Sequence, residues 1–340
     1  RLHLISTAPY SKLKRMRAVV CESFDSPENL TVTEVEKPEP GDNQVLVRIE
    51  STGLGYVDAL TVAGLYQIKP NLPFVPGNEL SGVIEQIGNN VKHLRIGQRI
   101  LASANGGLAE YTVVDESKCT PIPESLSHDA AAGFLVNYCT AFQGFSYWGQ
   151  LKEKERVLIL GGSGGVGIAA IDVARAMGAM VIAAASTKKK RDACLEAGAT
   201  HVIDYTKENW RDKLKEILAG EPLDVVYDPV GGDYAEPALR SLGPDGRYLV
   251  VGFASGDIPK FPINLVLLKR CSIVGVNWGG HIAENPSTYR EVMTTLMEWV
   301  AEEKIRPLSG EAFALADAGK AMMKMLDRKA IGKIVINPSV

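Results

Sequence analysis

The sequence has no apolar run approaching the roughly 20 residues that a membrane-spanning helix requires, so no segment of it reads as transmembrane. It has no excess of either charge. Lys and Arg number 37 against 40 Asp and Glu, for a net charge of −3, which gives no electrostatic footprint for nucleic acid or an anionic membrane. Cysteine is scarce and scattered: Cys21, Cys119, Cys139, Cys194 and Cys271 include no C-x-x-C pair, which excludes a zinc ribbon or a four-cysteine structural lobe. An odd count of distant cysteines predicts reduced thiols in an intracellular protein, each a small buried hydrophobe. Histidine is equally thin. His3, His93, His128, His201 and His281 form no ligand-spaced cluster, and neither H-E-x-x-H nor G-x-S-x-G occurs. The opening "RLHLISTAPYSKLKR" contains no acid and no Met. Met16 reads as the natural start of a first strand, so residues 1–15 read as a tag or extension, or as the remnant of an organelle transit sequence. The expected compartment is the cytoplasm, or the mitochondrial matrix under the transit-sequence reading.

What remains is ordinary globular composition, 46% hydrophobic and 23% charged, in a chain long enough for two domains. From about 16 to 120, short β-branched runs ("RAVVCESF", "LTVTEVE", "QVLVRIES", "LSGVIEQIG", "QRILAS", "AEYTVV") alternate with turn residues and predict a compact, partly open barrel. "SLSHDAAAGFLVNYCTAFQGFSYW" (125–148) predicts one helix, with Ser127 as its N-cap. Strands at 156–160, 180–186, 201–204, 224–228, 247–252 and 272–278 then alternate with helices near 165–177, 188–197, 208–219, 232–242 and 263–268. That rhythm predicts a six-stranded parallel sheet with helices on both faces. The long helix near 286–303, the helix "ADAGKAMMKML" and the strand "GKIVINP" are assigned back to the first domain. The expected boundaries are 16–137 with 279–340 for the barrel domain and 138–278 for the parallel-sheet domain.

Gly162-Ser163-Gly164-Gly165-Val166-Gly167 fits G-x-G-x-x-G, directly after a predicted strand and opening a predicted helix. Gly162 is expected to make the tight turn, Gly164 to admit a pyrophosphate against the backbone, and Gly167 to let the helix pack on the sheet. About 20 residues on, an NAD site carries an acid for the ribose hydroxyls. Here Ala184-Ala185-Ser186-Thr187 precede Lys188, Lys189, Lys190 and Arg191. Cations and hydroxyls without a carboxylate suit a 2′-phosphate, so NADPH is the expected cofactor. With no metal-ligand set, the chemistry expected is hydride transfer to an acceptor already polarised by conjugation, which needs mainly positioning and a dry pocket.

The chain resembles the zinc-free medium-chain dehydrogenase/reductases, in particular the NADPH:quinone oxidoreductases related to zeta-crystallin. The resemblance rests on "STGLGYVDALTVAGLY" (51–66), "LPFVPGNELSGVIEQIG" (72–88), "GGSGGVG" (161–167), "EAGATHVIDY" (196–205), "YDPVGG" (227–232) and "PINLVLLKRCSIVGVNWGG" (262–280). It implies an α/β fold: a GroES-like barrel as the catalytic domain and a Rossmann cofactor domain. Zinc-containing relatives place Cys and His where this chain has Gly55 and Asn78. The resemblance further implies that Tyr56, Tyr66 and Thr140 stand on the catalytic side, near the nicotinamide and the substrate cleft. It places Gly164, Gly165 and Val166 at the pyrophosphate, and Ser186, Lys190, Tyr205 and Arg328 at the 2′-phosphate end. Gly252, Phe253, Asn277 and Trp278 line the nicotinamide side. Read from the residues alone, Tyr66 and Trp278 are equally core aromatics, and Arg328 is equally a surface charge.

One position departs from the pattern. Gly55 stands where quinone reductases of the group often carry Asn, which points to a roomier pocket or a backbone-only contact. The family also implies a homodimer joined edge to edge through the last parallel strand, here Ile273–Trp278. The expected activity is NADPH-dependent reduction of quinones. Reduction of the C=C bond of enones or enoyl thioesters is the alternative enzyme reading, and an NADPH-binding, crystallin-like structural protein with little turnover is the non-enzymatic one.

Overall fold

A computed structural model describes residues 14–339. The extension expected over 1–15 lies outside them except for Lys14 and Arg15, and Arg15 already opens the first strand. Strands β1 (Arg15–Val20) and β2 (Thr31–Glu36) pair antiparallel. The spine of the barrel is β3 (Gln44–Leu54), followed at once by helix α1 (Tyr56–Val62). Strands β4 (Glu79–Ile87), β5 (Arg99–Ser103), β6 (Tyr111–Asp115) and β7 (Cys119–Pro121) complete this part of a seven-stranded sheet, with β6 paired to β3. Val45, Val47 and Ile49 of β3 recur at every second residue and pack with Leu80, Ile84 and Ile100 inside the barrel.

The single helix expected over 125–148 is broken. Ser127 caps α2 (His128–Ala132), its hydroxyl accepting from Ala130 N, and α3 (Leu135–Gln143) starts afresh after Gly133. The break falls at Gly133, the C-cap of α2, where a side chain would meet Lys333 Cγ at 2.6 Å. A five-residue π-helical turn over 144–148 closes the segment.

The parallel sheet follows, with β8 (Arg156–Ile159), α4 (Gly165–Ala176), β9 (Met180–Ala184), α5 (Lys188–Glu196), β10 (His201–Ile203) and α6 (Trp210–Leu218) as its first half. Its second half is β11 (Leu223–Asp228), α7 (Ala235–Leu239), β12 (Leu242–Val250), α8 (Asn264–Lys269) and β13 (Ser272–Gly275). The strand order β10-β9-β8-β11-β12-β13 is the doubly wound order of dinucleotide-binding sheets. Val157 and Ile159 face one apolar core and Leu158 and Leu160 the other, because helices cover both faces of the sheet.

The last expected strand is shorter than the sequence suggested. It stops at Gly275 because Asn277 caps a helix, its Oδ1 accepting from Gly280 N at 3.0 Å. That helix, α9 (Trp278–Glu284), leads into α10 (Pro286–Ala301). Residues Val292, Met293, Leu296 and Val300 of α10 share a core with Phe134, Cys139 and Ile168, so this helix packs against α3 on the sheet side. The tail then returns to the barrel through β14 (Glu311–Ala314), α11 (Ala318–Leu326) and β15 (Ile334–Asn337), and β15 pairs antiparallel with β3. Among the described residues no helix is long and apolar enough to cross a membrane.

Candidate active site

The glycine turn between β8 and α4 is built by close approach. Gly161 holds φ at +60°, and a Cβ there would meet Val230 Cγ2 at 2.6 Å. Within the tight turn expected at Gly162, the positive φ is held by Gly161, one residue earlier. Gly162 is needed for packing instead, since its Cβ would lie 2.9 Å from Ala183 Cβ and 3.1 Å from Cys194 Sγ. A Cβ on Gly167 would overlap the carbonyl of Gly161, so α4 can seat on the turn only without one. Gly164 is different. A Cβ there would find only Gly161 O, at 3.5 Å, so this face of the helix N-terminus is open. Gly165 abuts Asn137 of α3, and Val166 is half-buried beside it. Backbone N–H groups and the helix dipole make such an open face fit for a pyrophosphate.

The residues expected at the adenosine end lie at the carboxyl ends of β9 and β10. Of its four cations, Lys188 pairs with Asp192 and Arg191 with Asp204. Arg191 also donates to the carbonyls of Ala185 and Ser186. Lys190 Nζ donates instead to the carbonyl of Arg328, at 2.8 Å, and partial burial lowers its pKa. Arg328 in turn donates to the carbonyl of Ser255 and holds φ at +58°, a conformation uncommon for a residue with a side chain. Tyr205 stacks on Tyr234 at 4.2 Å, and burial pushes its hydroxyl up to about 12 against the lowering effect of nearby Arg328. The fold thus assembles Lys190, Tyr205 and Arg328 from segments far apart in sequence. No carboxylate stands at the end of β9, and this donor set suits a phosphate on the ribose.

The remaining candidates follow β12 and β13 or lie on α1 and α3. Gly252 N donates to the carbonyl of Asp228, and Phe253 beside it is exposed. Asn277 is exposed, whereas Trp278 is buried with its Nε1 unpartnered. Thr140 is buried on α3. Tyr56 is the first residue of α1 and one-third exposed; Tyr66 is half-buried, its N–H closing the turn that ends α1 on Leu60 O. At Gly55, φ is −104°, and a Cβ would meet Asp58 Oδ2 at 3.3 Å and Val57 N at 4.0 Å. The backbone conformation does not demand glycine there.

Beneath Gly55 lies a group of ionisable residues that sequence reasoning missed. Asp58 is buried; its Oδ2 accepts from Gly55 N at 2.7 Å and its Oδ1 from Asn78 Nδ2 at 2.9 Å. Burial pushes its carboxyl up to about 6, opposed by the Gly55 N–H and by Lys333 and reinforced by Glu79. Glu79 is also buried, with Oε1 accepting from Val136 N at 3.0 Å and Oε2 from Lys333 Nζ at 2.9 Å. The only sequence signal was three ionisable residues set among apolar strand and helix positions.

The chain is similar to known proteins across both the barrel and the parallel sheet. The alcohol dehydrogenase GroES-like domain family matches residues 41–124, and the zinc-binding dehydrogenase family matches residues 165–300. The quinone oxidoreductase-like protein 2 homolog of Nematostella vectensis is 39% identical over 329 residues, covering 95% of this chain and 89% of that protein. Human quinone oxidoreductase is 30% identical, with 95% of this chain and 98% of that protein covered. The crystal structure of Escherichia coli quinone oxidoreductase complexed with NADPH superposes with a TM-score of 0.82 at 27% identity, covering 95% of this chain and 99% of that one.

Proposed function

This chain belongs to the zinc-free medium-chain dehydrogenase/reductase family, NADPH-binding oxidoreductases with a GroES-like barrel and a Rossmann sheet, and from that premise we propose that it reduces quinones. Bound NADPH supplies a hydride. The chain's own share is to hold the pyrophosphate at Gly164, Gly165 and Val166, and the 2′-phosphate end at Ser186, Lys190, Tyr205 and Arg328. Gly252, Phe253, Asn277, Trp278 and Thr140 then frame the nicotinamide side, with Tyr56 and Tyr66 toward the acceptor.

One observation carries the choice of acceptor. Where the zinc-containing relatives place Cys and His, this chain has Gly55 and Asn78, and Asn78 is committed to Asp58. The acceptor side therefore offers neither that metal-ligand pair nor, in Asp58, an uncommitted carboxyl group. A quinone needs neither, because conjugation already polarises its carbonyls and the reduced oxygen takes its proton from water or Tyr56. The segment after α1 also leaves Leu65 and Ile68 about three-quarters exposed (74% and 73%), a surface that a flat apolar acceptor would cover.

The test is the initial rate of NADPH oxidation with an ortho-quinone beside a simple enone at matched concentrations. Faster quinone turnover supports the reading. Faster enone turnover moves the assignment to C=C reduction, and NADPH binding without turnover of either moves it to a structural role.

We also infer a homodimer joined through β13, an edge strand of the parallel sheet. Beside it Ile263, Leu267 and Leu268 are 75%, 77% and 70% exposed, an apolar patch that a second copy would bury.

A further inference from the structure

Lys333 sits between the two halves of the site. One residue before it, Gly332 N donates to the carbonyl of Ser163 in the glycine turn at 2.7 Å, and Gly332 bridges to Gly164. One residue after it, Ile334 pairs with Leu54, the last residue of β3 before the Gly55–Tyr56 turn. Its side chain runs inward, with only 11% of it exposed, to Glu79, whose side chain is 5% exposed.

Two glycines flank that side chain, although at Gly53 the Ala132 carbonyl, which a Cβ would overlap, is the nearer obstacle. A Cβ on Gly53 would stand 2.8 Å from Lys333 Cε, and one on Gly133 would stand 2.6 Å from Lys333 Cγ. Glu79 spends its other oxygen on Val136 N, in the first turn of α3, the helix that carries Asn137 against Gly165 and then Thr140. Asn78, next to Glu79, holds Asp58, which holds Gly55 N. Removing two charges from water is costly, and a buried pair of this kind is often no more stabilising than apolar residues of the same volume. Its placement, bonded directly to α3, joined to the glycine turn through the adjacent Gly332 and to the acceptor turn through the adjacent Asn78 and Asp58, calls for another reason.

We propose that Glu79 and Lys333 are positioning residues for hydride transfer. Their buried ion pair locks segment 328–333 and the N-terminus of α3 to β4, and so holds the phosphate turn, Thr140 and the Gly55–Tyr56 turn in one fixed arrangement. The inference rests on the NADPH-dependent reduction proposed above and adds residues that touch neither cofactor nor acceptor.

The test compares Glu79→Gln, Lys333→Met, the double variant and Lys333→Arg. Three quantities are read on each: the thermal midpoint of the cofactor-free protein, NADPH affinity by fluorescence titration, and kcat and KM for a quinone at saturating NADPH. Each single neutralisation strands a buried charge and lowers the midpoint, and the double variant recovers most of that loss. Positioning predicts that the double variant nevertheless keeps a deficit of about tenfold or more in kcat and kcat/KM together, with quinone KM little changed. Lys333→Arg retains more activity than Lys333→Met. A double variant that recovers both its midpoint and its kcat overturns the proposal and leaves the pair a stability feature only. Parent protein that binds no NADPH in the titration overturns the underlying reading, a failure visible before any variant is compared.

Discussion

At the scale of single residues, the proposed 2′-phosphate site is tested at Lys190. Its neighbours Lys188 and Arg191 are paired with carboxylates, while Lys190 meets only a carbonyl. Lys190→Glu is expected to weaken NADPH binding by at least about tenfold and NADH binding much less, because charge-assisted bonds to phosphate are strong. Equal losses in fluorescence titrations with the two nucleotides would remove Lys190 from the 2′-phosphate site. Asp58 makes a separate prediction, in pH. Its folded pKa of about 6 lies above the ordinary carboxyl value of 3.8, so the folded state holds the proton more tightly. Its contribution to stability is therefore most favourable below the lower value. It declines as pH rises through this window and is constant above it, a change worth about 3 kcal/mol by linkage. Asp58→Asn abolishes this component. The midpoint difference between variant and parent should shift in the variant's favour between pH 4 and 6 and then level off. A difference that is flat across that range would mean that Asp58 titrates normally. Lys190 stood out in the sequence because the missing acid and the run of cations are local. Asp58 did not, because burial is not a local property.

At the scale of elements, the strand–turn–helix at Gly161–Gly167 separates folding from binding within a few residues. Gly167→Ala forces a Cβ onto the carbonyl of Gly161 and is expected to destabilise the protein by several kcal/mol or prevent folding. Gly164→Ala has room and an ordinary φ of −77°. Its thermal midpoint should stay within a few degrees of the parent's while NADPH affinity drops by at least about tenfold, because the methyl group fills the open face meant for the pyrophosphate. Loss of the fold in Gly164→Ala, or unchanged affinity, would contradict the turn as described. The spacing of the glycines was legible in the sequence. The division of labour among them was not, since which glycine faces a strand, a side chain or open space depends on partners such as Val230 and Cys194. The same holds for the helix expected over 125–148. Its apolar content was plain, but the lack of room for a side chain at Gly133, where the helix breaks, comes from Lys333, 200 residues away in sequence.

At the scale of the whole molecule, edge strand β13 and the exposed leucines of α8 set the prediction. Leu267→Glu with Leu268→Glu should convert a dimer to a monomer of half the mass by light scattering, with the fold intact by circular dichroism. A parent that already runs as a monomer, or a double variant that stays dimeric, would dismiss this surface.

The sequence by itself determined the alternation of strands and helices, the parallel sheet, the glycine turn and the cofactor class. These are written in hydrophobic periodicity and short spacings, which act between neighbours along the chain. Tertiary structure alone decided how far β13 extends, where α10 packs and how Lys190, Tyr205 and Arg328 converge. It alone placed Lys333 on Glu79, 254 residues away in sequence. Such contacts are set by which surfaces meet once both sheets have formed, and burial then changes the chemistry of the groups caught between them.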